Sequence, residues 1–385
     1  MTIPISDLGL ARENIAFAKL ETTFGILAAF AATDAVAVLG EPSLSQPLSF
    51  SDSKEVIASR SLIARFRDKT PAGKWSLNLY SRPSGAAGTP PVESVFLECL
   101  LGSKAIGAGA SVTYSPALNL PSFSLASRLG HATRFAAGCL VESGKFSITS
   151  KGGIELSFSG PCRQVMQAGK ATTVAGSTTT VIHLEAGGAK LFDLDTRVQV
   201  DTANNTGAGY TVSAYDEAAD TITITPALAQ APASGVTVQG YLPTPTLAGS
   251  PLEGRLGSAK FDTVAVSITS ADLTITNKIN MLEDEVTPND FPSGYVPGSR
   301  SVKGDLSLYF LRKYLAHFRQ ARNQADVVVA LGGGAIAGSI LTITNTKGRM
   351  DTPEISANND TLMEKLPYTS LASAAGEDEI SIVYT

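Results

Sequence analysis

The sequence predicts a mainly β protein: a β-sandwich or barrel with a flanking helix, interrupted by a small inserted β-domain. Three observations lead there. Period-two alternation of apolar and polar residues recurs along the chain, as in half-buried strands. The 35 Gly and 20 Pro supply the turns that an antiparallel sheet needs. Regular alternation of strands with long helices is missing, which disfavours a doubly wound α/β fold.

In chain order, Lys74–Tyr80 is the first strong strand candidate. Pro91–Gly102 then reads as a helix, with proline at its start and glycine at its end. It places Val92, Val95, Phe96, Cys99 and Leu100 on one face, to pack on a sheet. Lys145–Ser150 and Gly153–Ser159 alternate as strands, and so do Thr263–Thr269 and Asp272–Thr276 after the middle of the chain. Ser301–Phe310 is a further strand. Leu311–Asn323 follows as an amphipathic helix, with Leu311, Tyr314, Leu315 and Phe318 toward the sheet and Arg312, Lys313 and Arg319 away from it. Asp326–Ala330, Ser339–Thr344 and Glu379–Tyr384 complete the set.

Between residues 168 and 245 the texture changes to Thr, Ala and Gly, bounded by Ala168-Gly-Lys170 and Pro243-Thr-Pro245. Five short strands are expected inside: Thr178–Leu184, Thr196–Val200, Gly209–Tyr215, Asp220–Thr225 and Gly235–Gly240. The predicted division is therefore 1–167 and 246–385 as one domain and 168–245 as an inserted small barrel or sandwich, near the lower size for an independent core. Insertion works best where the flanking chain ends are close, so the strands ending near Ser159 and resuming near Phe261 are expected in one sheet.

The composition argues against several chemistries. With 30 Lys plus Arg against 35 Asp plus Glu, the net charge of −5 gives the chain no electrostatic reason to grip nucleic acid. Cys99, Cys139 and Cys162 fit neither a disulfide framework nor a metal knuckle and read as core residues in a reducing compartment. Asp7, Arg12 and Glu13 leave no basic, then apolar, secretory pattern at the N-terminus, and Phe24–Ala32 is too short to span a bilayer. Gly332-Gly-Gly334 imitates a dinucleotide-binding turn, but the residues after it alternate as a strand, so a hairpin turn is expected. His131, His183 and His317 fall on three different elements, where a hydrolase would need one beside a nucleophile and a carboxylate. Glu283-Asp-Glu285 and Glu377-Asp-Glu379 read as solvated loops, and Asp193 and Asp195 would share one strand face. Trp75 is the single tryptophan, too little aromatic surface for a glycosidase cleft. No cofactor, metal site or catalytic residue is expected.

The order of local patterns is more specific. Ala18-Lys-Leu-Glu-Thr-Thr-Phe-Gly-Ile26 resembles the opening of major tail tube proteins of long-tailed bacteriophages, with Ile26 in place of a threonine. The resemblance continues through Asp52–Glu55, Leu77–Pro83, Val92–Gly102, Ser301–Phe310, Gly334–Thr344, Met350–Ile355, Glu364–Pro367 and Asp378–Tyr384.

The resemblance implies a non-enzymatic virion protein that pairs with itself. Six subunits would join their sheets into one continuous barrel, and rings would stack into a tube through which DNA passes without specific binding. Closing a sheet satisfies its open edges, and a heterologous stacking contact repeats without limit. The family's partners are a tape measure protein and tail terminator and distal tail proteins. Assembly would take place in the host bacterial cytoplasm, and an acidic lumen would repel phosphates. The loops Gly40–Ser61, Pro83–Pro91 and Thr287–Ser299 are the candidate ring-to-ring contacts, with Pro47, Phe50, Pro83, Phe291, Tyr295 and Arg300 in or beside them. The competing readings are a capsid decoration or other assembly protein, a carbohydrate- or receptor-binding module using Phe192, Tyr210, Tyr215 and Tyr241, and a hydrolase built on His131 or His183.

Overall fold

A computed structural model describes residues 14–56, 61–262, 264–312, 315–358 and 360–385; Asp7, Arg12, Glu13, Thr263, Lys313 and Tyr314 lie outside them. The chain begins with β1 (Ile15–Leu20), β2 (Ala35–Val36), β3 (Ser43–Ser45), β4 (Phe50–Asp52), β5 (Arg65–Arg67) and β6 (Gly73–Tyr80), followed by α1 (Ser94–Leu101). Next come β7 (Gly102–Gly107), β8 (Ser111–Pro116), β9 (Phe123–Leu129), β10 (Ala132–Cys139), β11 (Ser143–Thr149), β12 (Glu155–Cys162) and β13 (Gln164–Ala168). The middle holds β14 (Lys170–Thr172), β15 (Val181–His183), β16 (Arg197–Val200), β17 (Tyr210–Asp216), β18 (Thr221–Thr225) and β19 (Thr237–Gly240). The last part runs β20 (Ser258–Phe261), β21 (Val264–Val266), β22 (Ile268–Leu282), β23 (Gly294–Tyr309), α2 (Ala316–Arg322), β24 (Asp326–Gly333), β25 (Leu341–Met350), β26 (Glu354–Asn358), β27 (Thr361–Ser370) and β28 (Ser381–Tyr384). The mainly β fold class read from the sequence is the one observed.

The largest sheet has 15 strands, in the order β21-β20-β24-β25-β27-β23-β22-β11-β12-β6-β3, with β26 on β27 and β28, β8 and β7 branching from β25. The branch forms because β25 changes partner along its length: Leu341–Thr344 pairs with β28, and Gly348–Met350 pairs with β27. Both arms of the sheet contribute to one core, which α1 shares. β6 and β12 alternate as expected, with Trp75, Leu77, Leu79, Leu156 and Phe158 turned inward. β12 and β20 belong to this sheet, as expected, although far apart in it. Among the described residues no barrel closes within the single chain.

α1 is more enclosed than its amphipathic reading implied. Leu97 and Leu101 are fully buried along with Phe96, Cys99 and Leu100, whereas Val92 and Val95 are only half-buried. Phe96 stacks on Phe158 at 5.2 Å and meets Phe123 edge-on at 5.3 Å. The predicted terminator holds: Gly102 takes φ 99°, a left-handed cap, and its N–H donates to the Glu98 carbonyl.

The second helix corrects its prediction. α2 covers only Ala316–Arg322 and buries His317 and Ala321, while Leu311, Leu315 and Phe318 are exposed. A buried polar pair sets the helix face: His317 Nδ1 lies 3.2 Å from both carboxylate oxygens of Glu364, and the His317 ring meets Phe261 edge-on. The polar brace won over the apolar stripe.

A second sheet, in the order β13-β10-β9-β1-β2, escaped the periodicity reading because it is covered on both faces. Every residue of Phe123–Ser127 on β9 and of Phe135–Cys139 on β10 is buried, and two-sided burial erases alternation. A third sheet, β14-β19-β16-β17-β18-β15, contains the predicted strands of the middle segment plus β14. Its two edge strands approach at a bridge between Thr173 and Leu184. Its core is continuous with the second sheet, since Phe17, Phe135 and Met166 cluster with Phe192, Val198 and Val238. The expected strand face for Asp193 and Asp195 does not form. Asp193 caps β13 through the Gln167 amide at 2.7 Å, and Asp195 takes φ 63° outside any strand.

The last strand is tied down by a buried carboxyl. Glu93 Oε1 accepts from Tyr384 Oη at 2.7 Å, Ser81 Oγ at 2.8 Å and the Arg82 amide at 3.0 Å. Burial pushes the Glu93 carboxyl above its ordinary range, outweighing these hydrogen bonds, which pull it down. A raised folded-state value means that the native state holds the proton more tightly. Its contribution is present in acid and is lost as pH rises from 4.5 through the folded-state value. Glu93→Gln is therefore expected to flatten that decline. Urea midpoints across the acid range, compared for the two proteins, check it; parallel curves would contradict the assignment.

Candidate assembly surface

The register of the large sheet sorts its loops into two opposite ends. Gly73 of β6 pairs with Cys162 of β12, and β11 starts at Ser143 opposite Thr276 of β22, so β22 runs on past this end to Leu282. We call it the arm pole. At the far pole, Tyr80 faces Glu155, Leu308 faces Glu364, and β26 and β27 project beyond. β23 has 16 residues, which at about 3.3 Å per residue separates the poles by roughly 50 Å.

The arm pole is named for a hairpin that stands clear of the body. Among the described residues β4 pairs only with β5, and all six of their residues are exposed. Leu48, Phe50, Leu62, Ile63 and Phe66 leave an apolar surface that a free monomer would ordinarily bury. Arg65 lies over the Phe50 ring at 4.7 Å and 3.5 Å from Asp52, which holds the hairpin's shape.

Backbone and carboxylate contacts fix the root of this arm to the β22–β23 turn. The Thr70 amide donates to the Asp290 carbonyl at 2.9 Å, the Ala72 amide to Glu283 Oε1 at 2.8 Å, and Lys69 Nζ to the Glu285 carbonyl at 3.1 Å. Glu283, read as a solvated loop residue, is thus a cap. Gln46 clamps the other side of the root, accepting from the Val165 amide and donating to the carbonyls of Pro71 and Arg163.

The opening motif Lys19–Gly25 holds the same pole from within. Glu21 collects four donors: the amides of Gly25 and Gly138 and the hydroxyls of Ser122 and Ser124, at 2.7–2.9 Å. These bonds shape a tight turn in which Gly25 adopts φ 76° directly beneath the Arg163 side chain, where any Cβ would collide. Arg163 donates to the Gly25 carbonyl at 3.1 Å and to the Pro292 carbonyl at 3.0 Å, and Phe24 packs on Tyr295 at 5.1 Å. The motif's acid, aromatic and glycine are therefore parts of one brace between the second sheet and the 287–295 loop.

Of the predicted contact residues, Pro47, Phe50, Phe291 and Tyr295 lie at the arm pole. Pro47 and Phe50 are exposed; Phe291 and Tyr295 are half-buried, and the Tyr295 hydroxyl donates to the Leu120 carbonyl. Pro83 is at the far pole and buried, its carbonyl against Gly249. Arg300 is turned into the subunit, where all its guanidinium nitrogens meet acceptors. Nε donates to Asn277, Nη1 to Glu377 and Glu379, and Nη2 to the carbonyls of Leu101 and Ala117. The Pro83–Pro91 loop joins the far pole through the Gly85 amide and the Gly338 carbonyl at 3.1 Å, beside the predicted glycine hairpin turn between β24 and β25. The exposed α2 residues and β26 lie at this pole too.

Other chemistries find little here. Of the insert's four aromatic residues only Tyr215 is exposed; Phe192, Tyr210 and Tyr241 are buried, so no aromatic platform forms from them. His131 lies in the β9–β10 turn and His183 in β15, while all three cysteines are free and buried. Among the described residues no group of three or more His, Cys, Asp or Glu is placed to hold a metal ion, and no helix is long and apolar enough to cross a membrane.

A family model described as phage tail tube protein matches residues 11–370. No curated protein matches the chain.

Proposed function

The chain belongs to the phage tail tube protein family, a structural component of the virion tail, and from that premise we propose that six copies join into a ring and that rings stack head to tail into a tube that conducts DNA during ejection. The observation that carries this reading is the separation of interaction-ready features to two poles, an apolar hairpin at one and an edge strand, β26, with an apolar helix face at the other. A contact between unlike ends repeats without closing and builds a filament.

The solvent face of β6, β12, β11, β22, β23 and β27 is the candidate lumen wall. It carries small hydroxyl and amide groups, Ser76, Asn78, Ser157, Ser147, Thr274 and Thr369, between charges that neutralise one another, such as Lys145 with Asp272 at 3.3 Å and Lys365 with Asp305 at 3.8 Å. The same face also presents Lys74, Lys278 and Lys303 outside any ion pair among the described residues, against Glu155, so it is weakly basic rather than acidic and lacks the repulsion expected of an acidic lumen. The middle segment 168–245 is proposed as an outward-facing inserted domain, the tape measure, tail terminator and distal tail proteins as partners, and the host cytoplasm as the place of assembly. No catalytic step is assigned.

Negative-stain microscopy of the concentrated, purified protein tests the proposal. Stacked rings or tubes are expected; a persistent monomer or a closed shell would refute it.

A further inference from the structure

The arm pole holds a groove of about 750 Å³, with Pro47, Pro71 and Lys74 on one side and Ile279, Met281 and Glu283 on the other. The second wall is half of a ladder. β11 parts from β22 at Thr276, whereas β23 stays paired with β22 as far as Leu282. Along Lys278–Leu282, therefore, one flank of β22 faces the groove without a strand partner among the described residues. Unpaired strand flanks bordering a groove are templates for an added strand.

β26 is the counterpart. Its 5 residues pair with β27 alone among the described residues, matching Lys278–Leu282 in length, and Glu354, Ile355, Ser356 and Ala357 are all exposed. It lies at the opposite pole. Resting on the tube reading above, we propose that β26 of one copy adds to the free flank of β22 in a copy of the next ring, so that the stacking contact is in part a shared β-ladder.

Charge and shape favour this occupant. Glu354 and Lys278 are both exposed and form no ion pair among the described residues; Lys74 adds a second cation on the groove lining, and of the two carboxylates there, Glu142 and Glu283, the latter is already engaged by the Ala72 amide. Ile355 is 55% exposed and would meet the apolar wall of Ile279 and Met281. The alternative in which β26 pairs with β26 occupies one pole only, which ends growth at a pair. Joining β26 to β22 uses both poles of each copy and leaves one of each free at the tube's ends.

Charge reversal and cross-linking test it. Lys278→Glu and Glu354→Lys are each expected to raise the protein concentration needed for tube formation about tenfold, equivalent to about 1.4 kcal/mol for each subunit added, and the double variant to restore it. A mixture of Ile279→Cys and Ile355→Cys proteins should form a disulfide-linked heterodimer on oxidation, while either alone should not; the three native cysteines are buried. Wild-type tubes together with unaffected single variants, or with no cross-link in the mixture, would overturn the β22–β26 contact and leave the tube reading standing. Absence of wild-type tubes would remove the tube reading and this contact with it.

Discussion

Arg300→Ala is expected to destabilise the subunit by about 3 kcal/mol, at the lower end of the cost of breaking a buried, fully hydrogen-bonded charge pair. The side chain is 11% exposed and Glu379 10%, so water compensates little, whereas the second carboxylate, Glu377, is 41% exposed and recovers part of its hydration. The loss reaches further than one ion pair. Arg300 links β23 to Asn277 on β22, to Glu377 and Glu379 ahead of β28, and to the carbonyls of Leu101, the last residue of α1, and Ala117, just past β8. The Leu101 carbonyl, at the helix C-terminus, takes the Ala117 amide at 2.7 Å and Arg300 as a second donor, in a place where a cation is also favoured by the helix dipole. Arg300→Lys retains the charge but cannot serve five acceptors from one planar group, so it should recover less than half of the loss. Urea unfolding followed by circular dichroism measures both; a midpoint unchanged by Arg300→Ala would refute the assignment.

Arg300 also marks where sequence reading reached and where it stopped. Strands with one wet face were legible: β6, β12, β11, β18 and β25 all alternate in the text of the chain because one side touches water. β9 and β10 were not, since both of their faces are covered and their small residues, Ser124, Ala126, Ser127 and Ala136, carry no period. α2 was legible as a helix, but its orientation was not: Leu315 and Phe318 outweigh His317 on any hydropathy count, and the buried Glu364 that reverses the choice lies 47 residues away. The candidate contact loops were legible as polar, turn-rich stretches. Their sorting to two poles depends on strand register, which only the paired sheet supplies. Arg300, beside a loop, looked available for a neighbour; its acceptors come from four separate parts of the chain, and no local pattern announces them.

Excising the arm hairpin, residues 50–67, should abolish tube formation while leaving the subunit folded. The cut is sterically mild because the Asp68 amide already donates to the Ser49 carbonyl at 3.1 Å, so the two ends lie side by side and a short Gly-Ser turn can join them. Little folding energy is lost with it. Among the described residues β4 and β5 pair only with each other, Phe50 and Phe66 are 43% and 56% exposed, and the ion pairs Arg65–Asp52 and Arg67–Asp290 are solvent-exposed and worth at most about 1 kcal/mol each. Assembly has far more at stake. Each large apolar side chain buried at a ring-to-ring contact contributes about 1.5–3 kcal/mol, and a ring repeats the contact in every copy. The root that ties the arm to the β22–β23 turn, Thr70–Asp290 and Ala72–Glu283, stays in place, so a thermal midpoint within a few degrees of wild type is expected together with complete loss of sedimentable polymer. Tubes of normal length from the shortened protein would show that the hairpin is an ornament of the surface; a collapsed thermal midpoint would show that it belongs to the fold rather than to the contact between rings.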